Sequence, residues 1–273
     1  MYHGTLLLFY IVNIEVFVST KKQNVFHTLK YLVPNSCTSL SLLLGLASVV
    51  QSMQGNFSLA AWMILWGVLL DKLDGTFARL LNASSEFGAQ MDSFADFVSF
   101  GIAPAGLLYF ALHDPSMSDV VNGTWLTAAC GVYVVAVAAR LARFNISEPP
   151  MGHLMFYGIP TTFMGAIIAS GYLTWKELSF SVDVLSIVPF FLFIASVAMV
   201  SSVKLPKVKP RKNLWLNVFQ AVNILFAYCV APFQMFPNIL FLQGLLYLVC
   251  GVVWYAFYPP QEELETELSE ATI

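Results

Sequence analysis

Between residue 35 and residue 258 the chain returns repeatedly to apolar runs of about 20 residues. That is the length a helix rising ~1.5 Å per residue needs to cross a hydrocarbon layer of ~30 Å. Eight runs can be drawn: Asn35–Gln54, Ser58–Leu81, Gly88–Leu112, Val120–Arg143, Tyr157–Leu173, Val184–Val203, Leu214–Ala231 and Pro237–Tyr258. Short links holding turn formers, such as His113-Asp114-Pro115 and Ser147-Glu148-Pro149-Pro150, separate them. The expected fold is therefore all-α: a polytopic transmembrane bundle of about eight spans. The charged fraction agrees, at 11% against the ~25% of a soluble domain. The four cysteines lie in apolar runs without CxxC spacing, which suits small core residues rather than ligands or bridges.

Outside the runs the chain is simple. The apolar stretch Leu6–Val12 is too short to span a bilayer and lacks the basic flank and cleavage site of a signal peptide. Residues 1–31 therefore read as an interfacial helix or a dispensable extension. Residues 261–273 form an acidic, solvated tail. With the N-terminus inside, every Lys and Arg except Lys176 falls on the cytoplasmic side, the bias expected of inward-facing loops. Both termini are then cytoplasmic. The basic run from Lys204 to Lys212 would lie there too, where it attracts anionic headgroups.

Charges inside the apolar runs carry the chemistry. The second run ends Asp71-Lys72-Leu73-Asp74-Gly75-Thr76-Phe77-Ala78-Arg79, and the third begins Gly88-Ala89-Gln90-Met91-Asp92-Ser93-Phe94-Ala95-Asp96. Asp71 and Asp74 are three apart and Asp92 and Asp96 four apart, so each pair shares one helical face. The short link from Asn82 to Phe87 makes the two helices antiparallel neighbours. Four carboxylates can then meet near one membrane surface. Their repulsion has two remedies: some stay protonated, as in a proton relay, or hard divalent cations such as Mg²⁺ or Mn²⁺ neutralise them. Gly75, Ala78 and Gly88 leave room for a phosphate ligand or for close helix approach.

These residues match the signature D-x2-D-G-x2-A-R-x8-G-x3-D-x3-D at all eight fixed positions: Asp71, Asp74, Gly75, Ala78, Arg79, Gly88, Asp92 and Asp96. The chain thereby resembles the CDP-alcohol phosphotransferase family. The stretch Asp92 to Pro104, with Leu32-Val33-Pro34-Asn35, Arg140 to Asn145 and Gly158-Ile159-Pro160, resembles its phosphatidylserine synthase branch, where Thr161-Thr162 replaces commoner small residues. The resemblance covers about Leu32 to Lys207. It implies a six-helix core over residues 32–207, two further spans over 208–260, and usually a homodimer. It also implies transfer of the phosphatidyl group of CDP-diacylglycerol to L-serine, with release of CMP. Two metals, Mg²⁺ or Mn²⁺, are implied: one on Asp71, Asp74 and Asp92, the other on Asp71, Asp92 and Asp96. Asp96 is the implied general base, and Gly75, Ala78, Arg79 and Gly88 the CDP-lipid contacts. A zwitterionic acceptor needs a cation for its carboxylate, which points to Arg140 or Arg143 with Asn145 beside them. Other acceptors, namely glycerol 3-phosphate, inositol or an inositol phosphate, remain as alternatives. A cation-binding transporter is a third reading, disfavoured because the Asp residues sit at helix ends and no repeat is seen. No nucleic-acid partner is expected. The expected location is the cytoplasmic or plasma membrane, with the site facing the cytoplasm.

Overall fold

The computed structural model describes residues 30–113, 120–146, 155–206 and 214–257. Most of the N-terminal extension, the acidic tail and most of the basic run lie outside the described residues. Among the described residues eight helices follow one another: α1 (Lys30–Met53), α2 (Phe57–Leu80), α3 (Glu86–Leu112), α4 (Gly123–Ile146), α5 (Thr161–Glu177), α6 (Val188–Val200, entered through a 3₁₀ turn Val182–Ile187), α7 (Leu214–Val230) and α8 (Pro237–Phe257). They coincide with the eight apolar runs to within a few residues at each end. Four stretches, Lys30–Met53, Glu86–Leu112, Gly123–Ile146 and Val182–Val200, are long and apolar enough by themselves to cross a membrane. The chain is a polytopic helical membrane protein.

Packing follows from where the small and polar residues stand. On α1, Thr38, Ser41, Gly45, Ser48 and Ser52 recur at intervals of three and four and are buried, while Leu40, Leu43, Leu46 and Val50 face outward. The outward face is apolar and exposed; the inward stripe lets backbones approach closely. Ser48 Oγ donates to the Ala60 carbonyl at 2.9 Å and Ser41 Oγ to the Gly67 carbonyl at 3.3 Å. Helix α5 is central, packed on α2, on α8 and on the middle of α3, with Met164, Ile167, Ile168 and Ala169 buried. A second layer joins α4 to α6 around Tyr133, Val137, Leu192 and Met199.

Helix α3 is not uniform. It is α-helical over Glu86–Asp96, widens to a π turn over Phe97–Ile102, and resumes over Ala103–Leu112. A π turn mismatches the usual ladder, and side chains take up the freed carbonyls. Here the Tyr133 hydroxyl donates to the Phe100 carbonyl at 2.7 Å; from within the turn, Ser99 Oγ donates outward to the Ser41 carbonyl of α1 at 2.8 Å. A Cβ on Gly45 would come within 2.7 Å of Ser99 Cα, so only glycine lets α1 lie this close to the π turn.

Two details depart from the sequence reading. The fifth helix was expected from Tyr157, yet Met155–Tyr157 is a short strand pairing antiparallel with Lys204–Pro206, and α5 begins at Thr161. Gly158 has φ +66 and Pro160 follows Ile159, so the backbone leaves helical geometry before that proline. A Cβ at Gly158 would stand 2.1 Å from the Met199 carbonyl oxygen. The sixth run was expected to reach Val203, but α6 ends at Val200. There the Arg143 guanidinium donates to the carbonyls of Val200 (2.7 Å) and Ser201 (3.3 Å), taking up groups the helix leaves open.

Candidate active site

The second and third helices turn back on each other through Leu81–Ser85. Ser85 caps α3 by accepting the Gly88 N–H at 3.0 Å. This tight return places the acidic end of α2 against the acidic start of α3. One carboxylate oxygen from each of Asp71, Asp74 and Asp92 lies within 4.8 Å of the others. Asp71 takes a 3.5 Å ion pair from the exposed Lys72. Asp74 is buried, and its Oδ2 accepts the Thr38 hydroxyl at 2.7 Å. Three oxygen donors without a sulfur or imidazole fit a hard divalent cation. One surface lysine does not offset three acidic groups, which is a second reason for a cation there.

Beside this cluster opens a cavity of about 170 Å³, lined by Asp74, Asp92, Gly75, Ala78 and Gly88 among others. A Cβ on Gly75 would meet nothing within 4 Å, so the glycine borders open space rather than packed protein. Pro34, Asn35 and Thr38 of α1 and Ala83 to Ser85 of the link form the rest of its walls, with Ala89. Arg79 is not among the lining residues. Its side chain is exposed and its guanidinium reaches Thr76 Oγ1 at 3.4 Å.

Asp96 stands one turn deeper than Asp92 and outside the group of three. It still feels the charges of Asp71 and Asp92, and its Oδ2 accepts the Thr161 hydroxyl at 3.2 Å. Arg140 is buried at 7% exposure, within electrostatic reach of Asp96, and its Nε has no hydrogen-bond partner. Asn145 is exposed at the end of α4, where its Nδ2 donates to Ser93 Oγ at 3.0 Å and so ties α4 to α3 between Asp92 and Asp96. Arg143 is committed to the end of α6, as described above.

The sequence that builds this site has counterparts among known proteins. A family model described as CDP-alcohol phosphatidyltransferase matches residues 31–203. The chain belongs to this family. CDP-diacylglycerol–serine O-phosphatidyltransferase of Helicobacter pylori (strain ATCC 700392 / 26695) is 30% identical over 231 residues, 83% of this chain and 92% of its own. The Bacillus subtilis (strain 168) protein of the same name is 30% identical over 179 residues, 65% of this chain and 91% of its own. Archaetidylserine synthase of Methanothermobacter thermautotrophicus (strain Delta H) is 34% identical over 180 residues, 64% of this chain and 70% of its own. Helices α7 and α8 lie beyond the span that the family model covers; α8 packs on α5, and the end of α7 closes onto α2. Trp66 Nε1 donates to the Ala231 carbonyl at 2.9 Å and the Tyr228 hydroxyl to the Leu69 carbonyl at 3.1 Å.

Sequence reasoning missed Thr38 and Thr161, the donors to Asp74 and Asp96. Their signal is weak: two hydroxyls in helices remote in sequence. A buried carboxylate needs a donor, however, and hydroxyl residues on the packed neighbours were the available source.

Proposed function

We propose that this protein transfers the phosphatidyl group of CDP-diacylglycerol to L-serine, giving phosphatidylserine and CMP. The observation that carries the choice of acceptor is Arg140, a buried guanidinium with an unpartnered Nε beside Asp96. An unpaired donor in that position is costly unless an anion completes it, and the serine carboxylate is an anion of the right size. The names of the relatives support the same acceptor.

The residues divide the work. Gly75, Ala78 and Gly88 border the space for the CDP diphosphate, and Arg79, now turned to solvent, is placed to swing onto a phosphate. Asp71, Asp74 and Asp92 would hold one divalent cation, and Asp71, Asp92 and Asp96 a second, with Mg²⁺ or Mn²⁺ as candidates. Bound there, such cations spread the diphosphate charge and stabilise the leaving oxygen. Arg140 orients serine by its carboxylate, with Asn145 nearby. Asp96 accepts the hydroxyl proton as the serine oxygen bonds to the lipid-side phosphorus. The bond from that phosphorus to the CMP oxygen breaks, and CMP leaves with the electron pair. The working unit is a homodimer in the bilayer, with the site and both termini on the cytoplasmic side and all eight helices crossing.

The test supplies radiolabelled serine, glycerol 3-phosphate and inositol separately with CDP-diacylglycerol and purified protein. Serine should be incorporated fastest, with CMP released in equal amount. Preference for either other alcohol would replace the acceptor and leave the family assignment standing.

A further inference from the structure

We propose that Thr161 is a positioning residue for the transfer step, its hydroxyl fixing the carboxylate of Asp96 in the orientation that receives the acceptor proton. This rests on the reading of Asp96 given above. Thr161 is 1% exposed, and its Oγ1 lies 3.2 Å from Asp96 Oδ2. Both partners are anchored independently of each other. Thr161 is the first residue of α5, and the turn before it is tied to the end of α6. Gly158 N–H donates to the Val203 carbonyl at 2.7 Å and Ile159 N–H to the Ala198 carbonyl at 3.3 Å. Asp96 is the last α-helical residue before the π turn, which Ser99 and Tyr133 pin to α1 and α4. A β-branched side chain at a helix start has few rotamers, so the hydroxyl has little freedom to leave.

The chemistry of the donor is the second part of the argument. A base must be oriented without being neutralised. A lysine or arginine at position 161 would pair with Asp96 charge to charge and lower its affinity for the proton it has to take. A neutral hydroxyl holds one oxygen by a single bond and adds no charge to the carboxylate's surroundings. Groups that hold a reacting or ligating residue in this way are worth about 10–100-fold in activity when removed.

The experiment compares wild type with Thr161→Val, which keeps shape and loses the hydroxyl, and with Thr161→Ser, which keeps the hydroxyl. Turnover and KM for each substrate are measured with the preferred acceptor, together with thermal midpoint and calorimetric binding of CDP. Thr161→Val should lose about tenfold or more in kcat. Its CDP affinity should stay at the wild-type value, while its thermal midpoint falls by no more than the loss of one buried hydrogen bond explains. Thr161→Ser should recover to within about threefold of wild type. Wild-type kcat in Thr161→Val overturns the proposal. So does a Thr161→Ser protein as impaired as Thr161→Val, since that marks a packing role. If Thr161→Val does not fold, Thr161→Ala against Thr161→Ser decides by the same criterion. A wild type that transfers to another alcohol refutes serine as acceptor, and the comparison is then run with that alcohol.

Discussion

Two aspartates of the cluster carry the sharpest expectations. Asp71 and Asp92 are the residues that two cations would share, so Asp71→Asn and Asp92→Asn should abolish CMP release. Chelation of wild type should do the same, with Mg²⁺ or Mn²⁺ restoring it; full activity in chelator would remove metal assistance. Thr38 acts one step back. Its hydroxyl holds Asp74 Oδ2 at 2.7 Å, so Thr38→Val should raise the Mn²⁺ concentration for half-maximal activity by about 10–100-fold. An unchanged titration curve would show that Asp74 needs no such help. The two arginines should separate. Arg140→Ala should raise KM for serine with little change in kcat, the signature of a lost binding contact. Arg143→Ala should instead lower the thermal midpoint, because it uncaps α6. The sequence placed both arginines near the site but could not divide their tasks, since the carbonyls that occupy Arg143 belong to a helix 57 residues away.

Among the elements, helix limits were legible because apolar runs bounded by turn residues leave little choice. The π turn was not. It adds one residue per turn inside a run that is apolar on every side, so no periodicity changes to betray it. Its consequence is a rotation of everything before it relative to everything after it, and Asp92 and Asp96 both stand before it. Tyr133 is the test. It is fully buried, and Tyr133→Phe leaves the Phe100 carbonyl without the hydroxyl, which should cost about 1–3 kcal/mol. The measurement is thermal or denaturant unfolding, and a loss below ~0.5 kcal/mol would mean that the π turn is held by packing alone. The strand pair joining Met155–Tyr157 to Lys204–Pro206 was also hidden, because three residues are too few to show alternation. Leu205 within it is fully buried, so the pair is part of the core and not a loose link.

Among the described residues, one end gathers the polar groups of the site: the four aspartates, Arg140, Arg143, Asn145 and the strand pair. The opposite end holds Lys176, bonded to Ser58 Oγ at 2.7 Å. That partition was legible, since basic residues and turn-rich links alternate in the chain with the same parity as the helices. The side it faces is open to a direct measurement. In a background free of native cysteines, Ser181→Cys should react with an impermeant thiol reagent applied from outside the cell and Ser84→Cys should not; the reverse pattern would invert the orientation. Placing the carboxylates at helix ends has a further effect on traffic. The two halves of a nucleotide-activated lipid prefer different phases, and a site close to the boundary would let each half stay in its own. Once the bond between them is cut, the nucleotide fragment escapes into water and the new lipid drifts sideways in the leaflet. The products are sorted by solubility as they form, and that sorting works against the back reaction without any moving gate.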